Sequence, residues 1–121
     1  MKHLKILILI LIVSITSLCN AQTESGSNTY DKVVYLPTAF SPNNDGINDQ
    51  LFVRGKEIDA LELNIYNRFG ELVFMTNDQN IGWDGYYEGE KLNSEVYIAN
   101  LNVTFIDGEE KQLFGNITLV L

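Results

Sequence analysis

Three oxygen-bearing side chains, Asn43, Asp45 and Asp49, lie around the glycine at position 46. Their spacing places side-chain oxygens at alternate positions of a turn, and Ile47 would add a backbone carbonyl between them. Calcium prefers about six to eight oxygen ligands. The same residue types also cap turns without metal, because Asn and Asp side chains accept hydrogen bonds from nearby backbone N–H groups. The run is one acid short of an EF-hand and lacks its closing Glu, so turn capping is favoured and calcium is the only cofactor to consider.

Catalytic chemistry has few candidates in this sequence. The only cysteine is Cys19 and the only histidine is His3, and both lie in a leader that we expect to be removed. The remaining chain therefore cannot form a Ser-His-Asp triad, a cysteine nucleophile or a Cys/His zinc site. Paired carboxylates are the main enzymatic option that is left, but the glutamates stand in turn-like segments and are typical of solvated charges. We therefore expect that the protein is not an enzyme.

The charge balance excludes two classes of partner. The chain of 121 residues has 8 Lys and Arg against 16 Asp and Glu, a formal net charge of −8. Loss of the leader, with Lys2 and Lys5, leaves six basic against sixteen acidic side chains, a net charge of −10. Nucleic acids and anionic membranes require clustered Lys and Arg, so neither is expected as a partner. The length is that of one domain.

Residues 1–21 have the order of a secretory signal peptide. Met1–Lys5 is basic, Ile6–Val13 is an unbroken apolar run, and Ser14–Ala21 is small and polar. The apolar run is much shorter than the ~20 residues that cross a bilayer, so we expect no retained transmembrane anchor. The sequence thus predicts export to the cell surface or the extracellular space.

The predicted cleavage site lies between Ala21 and Gln22, because a small residue precedes the cut. The alternative is a lipoprotein cut before Cys19, which is less favoured because Leu18 is not small. Residues 22–31 are polar, contain Gly and Ser, and have no apolar period. We expect them to form a flexible tether.

From residue 32 onward, short apolar runs alternate with clusters of Gly, Asn and Asp, and no stretch keeps a helical period. The runs are Val33–Phe40, Leu51–Val53, Leu61–Ile65, Glu71–Thr76, Val96–Phe105 and Lys111–Leu121. About seven short strands in ~90 residues predict an all-β fold, an immunoglobulin-like antiparallel β-sandwich over residues 32–121. Without a disulfide the core must rest on packing, and Met75, Trp83 and the six phenylalanines are its expected bulk.

Three segments go beyond a generic sandwich pattern. They are Ala39–Asp49 (AFSPNNDGIND), Ile65–Gly70 (IYNRFG) and Gly82–Gly85 (GWDG). Their order and spacing resemble those of the gliding motility-associated C-terminal domain family, which is the type B sorting domain of the type IX secretion system. The resemblance covers about Val33–Leu121, most of the chain after the leader.

The resemblance carries sorting-motif positions onto individual residues of this sequence. They are Phe40, Pro42, Asn43, Asp45, Gly46, Asn48 and Asp49 in the opening motif, Asn67, Arg68 and Gly70 in the turn, Trp83, Asp84 and Gly85 in the loop, and Gly115, Thr118 and Leu119 in the closing strand. Phe69 stands where the family turn usually has Trp. The chain ends in Val120-Leu121, without the basic terminal residue that is often seen in the family.

The resemblance implies a non-enzymatic address domain, which directs export across the outer membrane and attachment or release outside. Its implied partner is the type IX secretion machinery. Only the leader and the tether precede the domain, so we expect no cargo within this chain. The alternative is a stand-alone extracellular binding module, such as a sugar- or calcium-dependent adhesin fragment. An exposed row of Trp83, Tyr86 and Tyr87 would favour sugar binding, whereas burial of Trp83, which is typical of a lone Trp in a small sandwich, would favour sorting.

Overall fold

The computed structural model describes residues 31–121, which form nine β-strands and no helix. The strands are β1 (Val33–Tyr35), β2 (Ala39–Phe40), β3 (Arg54–Lys56), β4 (Ile58–Tyr66), β5 (Leu72–Thr76), β6 (Tyr86–Tyr87), β7 (Glu90–Lys91), β8 (Val96–Phe105) and β9 (Glu110–Leu119). The predicted signal peptide, residues 1–21, and all but the last residue of the predicted tether, 22–31, lie outside the described residues. Across 31–121 no helix has the length and apolarity needed to cross a membrane.

The main sheet has five strands in the order β2-β9-β8-β4-β5. Strands β8 and β9 form a long antiparallel hairpin, and β8 also pairs with β4 from Phe105 opposite Ile58 to Ile98 opposite Tyr66. Strands β1 and β3 form one two-stranded sheet, and β6 and β7 form another. The all-β prediction is therefore confirmed.

Two details of the prediction were wrong. There are nine strands rather than about seven, because the predicted run Val33–Phe40 contains two strands, β1 and β2, and the two-residue strands β6 and β7 form where no apolar run was predicted. The sheets are not purely antiparallel, since β2 pairs in parallel with β9. The first described residues lie beside the β8–β9 turn, where the Lys32 ammonium is 2.6 Å from the Asp107 carboxylate. The chain then runs in the same direction as β9, which makes this pairing parallel.

One face of the main sheet supplies most of the core. Alternate residues of β8 are buried, and they are Tyr97, Ala99, Leu101, Val103 and Phe105. Leu61, Leu63 and Ile65 of β4 and Ile117 and Leu119 of β9 continue this layer. Phe40 of β2 belongs to the same cluster, and Val34, Leu51, Val53 and Trp83, which lie outside the main sheet, pack against it. This arrangement follows from the two-residue period of side chains along a strand.

The predicted core composition was partly wrong. Met75, Phe69 and Phe114 are 57%, 75% and 70% exposed. Met75 and Phe114 pair with Asn64 and Asn100, on the polar outer face of the sheet. Phe69 lies at the tip of the β4–β5 hairpin. Size and apolarity therefore did not decide burial; the position of each residue in the strand alternation did.

Strands β2, β4 and β9 run in the same direction, so their last residues lie at the same end of the main sheet. Three segments follow these last residues: the loop 41–49, the turn 67–70 and the C-terminal residues. We call this end, which holds the predicted sorting motifs, the motif end. The β8–β9 turn lies at the opposite end.

Candidate functional site

The carboxylate of Asp49 organises the opening loop. One oxygen accepts hydrogen bonds from the backbone N–H groups of Asn43 (3.1 Å) and Asn44 (2.8 Å). The other oxygen accepts one from Gly46 at 2.7 Å. Gly46 has φ of 83°, a left-handed conformation that glycine adopts without steric cost. The loop therefore wraps its own backbone donors around one anionic side chain.

The other two side chains predicted as calcium ligands also cap turns. The side-chain oxygen of Asn43 accepts a hydrogen bond from Asp45 N–H (3.1 Å), and an Asp45 oxygen accepts one from Ile47 N–H (2.8 Å). Among residues 31–121 no group of three or more His, Cys, Asp and Glu is arranged to hold a metal ion. These hydrogen bonds are the ones that the turn-capping interpretation predicts. Calcium binding by Asn43, Asp45, Ile47 and Asp49 stays a prediction.

Asn67 caps the β4–β5 turn in the same way. Its side-chain oxygen accepts hydrogen bonds from the N–H groups of Phe69 (2.9 Å) and Glu71 (3.0 Å). Gly70 donates its N–H to the Asn67 carbonyl at 3.0 Å and has φ of 82°. The Arg68 guanidinium is exposed at the tip, 4.9 Å from the centre of the Phe69 ring. The turn thus presents one cation and one aromatic ring to solvent.

Trp83 is fully buried at 0% exposure, as predicted. Its ring lies 5.2 Å from that of Phe40, 5.0 Å from that of Tyr97 and 6.3 Å from that of Phe74. Its indole N–H donates to the Tyr86 carbonyl at 3.2 Å. Trp83 is therefore a core anchor, and its ring is not available for stacking on a sugar.

The backbone of the same loop joins two other motif segments. Trp83 and Leu51 exchange two backbone hydrogen bonds, at 2.8 and 3.0 Å. Gly85 has φ of 82°, and a Cβ built on it would lie 3.0 Å from Leu119 and 3.2 Å from Pro42. The opening motif, the GWDG loop and the closing strand therefore meet at Gly85. Sequence reasoning placed Leu51 only in a short apolar run, because no local pattern reveals a partner 32 positions away.

The motif residues divide into two groups by position. Phe40, Pro42, Trp83 and Gly85 are buried. The opening loop and the turn 67–70 are largely exposed, and they lie toward opposite edges of the sheet, after β2 and β4 respectively. Asp84 accepts a hydrogen bond from Tyr86 N–H at 3.0 Å, so it also caps a turn. The structure thus brings three of the four motifs together and leaves the turn 67–70 apart.

The pKa values of Tyr97 and Asp107 are shifted by clear structural causes. The pKa of Tyr97 is raised, first by burial and then by the charge of Glu95, and its hydroxyl donates to the Asn93 carbonyl at 3.0 Å. The pKa of Asp107 is lowered, chiefly by the hydrogen bond that Lys32 donates to it. Tyr97 is a core residue, and Lys32 and Asp107 lie at the end opposite the motif end. Both shifts therefore accompany structural contacts.

Comparison with known proteins agrees with the motifs. The family model described as the CHU_C type IX secretion signal domain matches residues 34–119. No curated protein sequence matches the chain. Among solved structures, the crystal structure of CopC from Methylosinus trichosporium OB3b is similar, with 13% identity and a TM-score of 0.45, over 72% of this chain and 93% of that chain. Since the family match spans more than half of the sequence and includes all four motifs, the chain belongs to the CHU_C type IX secretion signal domain family.

Proposed function

We propose that this protein is a non-enzymatic sorting and surface-attachment domain of the type IX secretion system, in the narrower gliding motility-associated, type B, group. The observation that carries the proposal is the family match over residues 34–119. The meeting of the opening motif, the GWDG loop and the closing strand at Gly85 supports it, because these motifs then belong to one folded unit. The partner is the secretion machinery at the outer membrane, and the destination is the cell surface or the medium.

Two finer features belong to the same proposal. We propose that residues 1–21 act as a signal peptide, since their basic, apolar and small-residue order fits one. We also propose that residues 32–121 are an immunoglobulin-like sandwich. The support is a main sheet with one buried face, which is covered by the layer that contains β1, β3 and Trp83.

The binding-module alternative predicted an exposed row of aromatic side chains. Tyr86 is exposed and Tyr87 is half-buried, but Trp83 is fully buried in the core. The row that would stack on a sugar is therefore absent from the described part of the chain. This geometry favours the sorting function.

Export of a reporter tests the proposal. A signal peptide, a fluorescent protein and Val33–Leu121 are fused in that order and expressed in a host with a type IX system and in a mutant of that host without one. We expect reporter at the surface or in the medium only in the first host. A variant with Leu101→Asp, which places a charge at a fully buried position, controls for folding and should stay in the periplasm. Equal export in the two hosts, or none in either with a folded domain, contradicts the proposal.

A further inference from the structure

Strand β9 has an open edge over most of its length. On one side it pairs with β8 from Glu110 to Thr118. On the other side, within residues 31–121, it pairs only with β2, at Thr118 and Leu119. An unpaired strand edge offers a row of backbone donors and acceptors to another strand.

The direction of the backbone groups identifies which residues face this edge. Thr118 N–H donates to the Thr38 carbonyl at 2.8 Å, toward β2, whereas Leu119 N–H donates to the Glu95 carbonyl at 3.0 Å, on the β8 side. The two directions alternate along an antiparallel strand. Among the residues of β9 that precede Thr118, those whose backbone groups face the open edge are therefore Asn116, Phe114 and Gln112.

An apolar cleft runs beside this edge. It has a volume of about 270 Å³ and lies between residues 34–38 and residues 113–117. Strand β1, which precedes β2, pairs with β3 and not with β9, and the cleft occupies the space between these residues and β9. Its lining includes four aliphatic side chains, Val34, Leu36, Leu113 and Ile117. A strand placed along β9 could therefore bury every second side chain in the cleft between residues 34–38 and β9.

Gly115 marks the middle of the cleft. It lies inside a ten-residue strand, and no heavy atom beyond its chain neighbours comes within 4 Å of a Cβ built on it. Its position in the alternation is that of Leu113 and Ile117, which face inward. Neither a turn nor close packing within the described residues requires a glycine here. A glycine inside a strand weakens it, and often marks a place where a ligand or another backbone approaches. Gly115 thus leaves a notch next to the open edge.

We propose that the edge of β9 at residues 112–116, together with the cleft and the notch at Gly115, is a docking site for an extended segment of another protein. The segment adds as a strand to β9, and its alternate side chains are apolar and fill the cleft. Strand addition of this kind draws affinity from main-chain hydrogen bonds and specificity from pockets for alternate side chains. The inference rests on the proposed function, since the segment then belongs to the export machinery.

Two other occupants fit the observations less well. A second copy would bring together two mature chains of net charge −10 each, and β9 itself begins at Glu110, directly after Glu109. Charge of one sign on both partners opposes their association. Residues 22–30 of this chain, QTESGSNTY, are polar and lack the apolar alternation that the cleft requires. A foreign segment is therefore the occupant that we infer.

The test fills the notch without disturbing the fold. The full chain carries a fluorescent protein inserted between Ala21 and Gln22, and Gly115→Val is compared with Asn102→Val, an exposed position on β8. Because a Cβ at Gly115 meets no atom within 4 Å and the Asn102 side chain is exposed, both variants should keep the melting temperature of the parent. Surface fluorescence should fall about fivefold or more only for Gly115→Val, since the lower limit of the usual cost of overpacking a contact corresponds to about this factor.

A second variant removes a backbone donor instead. Asn116→Pro removes one outward N–H without removing a bond to β8, and the preceding glycine avoids the usual clash with the proline ring. It should reduce export in the same way. If the parent is exported and both variants are exported equally well, the docking site is wrong and the proposed function stands. If the parent itself is not exported in the type IX host, the proposed function fails.

Hydrogen exchange on the purified mature chain separates the three occupants. We expect the amides of Gln112, Phe114 and Asn116 to exchange faster than those of the residues between them, at every protein concentration. Protection that rises with concentration, together with dimers in sedimentation, would show that a second copy fills the site. Protection that disappears when residues 22–30 are replaced by a Gly/Ser segment of equal length would show that the chain fills it itself. Either result overturns the proposal.

Discussion

Replacement of Trp83 by alanine should remove a large part of the domain's stability. The side chain is fully buried, contacts the rings of Phe40, Tyr97 and Phe74, and donates its N–H to the Tyr86 carbonyl. Truncation of a buried Trp to Ala costs about 3–5 kcal/mol. Because three aromatic pairs and one hydrogen bond are lost together, we expect a value near the upper limit, about 4–5 kcal/mol.

This loss is large beside the total stability of the domain. A domain of ~90 residues has a free energy of unfolding of roughly 5–14 kcal/mol. At this size, each kcal/mol shifts the melting temperature by about 4–8 °C. The variant should therefore melt at least ~15 °C lower than the parent, and a parent at the low end of the range would leave it unfolded at growth temperature.

The assay is guanidinium unfolding followed by far-UV circular dichroism, since Trp83 is the only tryptophan and its removal eliminates the fluorescent probe. Trp83→Phe keeps an aromatic ring but loses the donor to Tyr86, so it should lose only about 1–2 kcal/mol. Phe69→Ala is the exposed control, and loss of its contact with Arg68 should cost no more than about 1 kcal/mol. If Trp83→Ala costs as little as Phe69→Ala, the core does not depend on this ring.

Three further predictions concern pH, a close packing contact and metal. The pKa of Tyr97 is raised because the folded state favours the neutral phenol. The stability that Tyr97 contributes is therefore complete below the ordinary tyrosine pKa and is lost as pH rises through the raised value. In alkaline denaturation, Tyr97→Phe should lose stability less steeply with pH than the parent. Gly85→Ala should destabilise by about 1–3 kcal/mol more than Gly46→Ala in urea unfolding, because both glycines have positive φ but only Gly85 has neighbours at 3.0 and 3.2 Å. Melting curves in calcium and in chelator should coincide, since the loop oxygens already accept backbone hydrogen bonds; a rise with calcium that Asp45→Ala abolishes would establish a calcium site.

Local chemistry made several elements of the fold predictable. The alternation from Tyr97 to Phe105 gives β8 and its buried face, and Asn67 and Gly70 give the turn after β4. Both depend on interactions between residues a few positions apart. The alternation in β9 also shows that Phe114 lies on the outer face, because Leu113 and Ile117, which face inward, have the opposite parity. Expecting every phenylalanine in the core ignored this rule, which outweighs residue type.

Long-range pairing was not predictable in the same way. The hydrogen bonds between Leu51 and Trp83 and the parallel pairing of β2 with β9 join residues far apart in the sequence. Strand β2 has only two residues, and Leu51 and Trp83 form a single isolated bridge, so these segments carry no period. The open edge of β9 is likewise visible only in the sheet order, although Gly115 was identified as a motif position. The role that we infer for Gly115 depends on the empty space beside this residue, which the sequence does not show.

The roles of the motif residues determine how the docking surface can be located. Asp49, Asn67 and Asp84 cap turns, while Trp83 and Gly85 hold the core where three motifs meet. We expect substitution of any of these to destabilise the fold, and an unfolded domain loses every surface at once. Failure of export in such variants therefore cannot distinguish a recognised residue from a structural one. Only variants that keep the parent's melting temperature and still lose export identify the surface that the machinery contacts. A side chain added at an unfilled position is therefore more informative than a side chain removed from the motif.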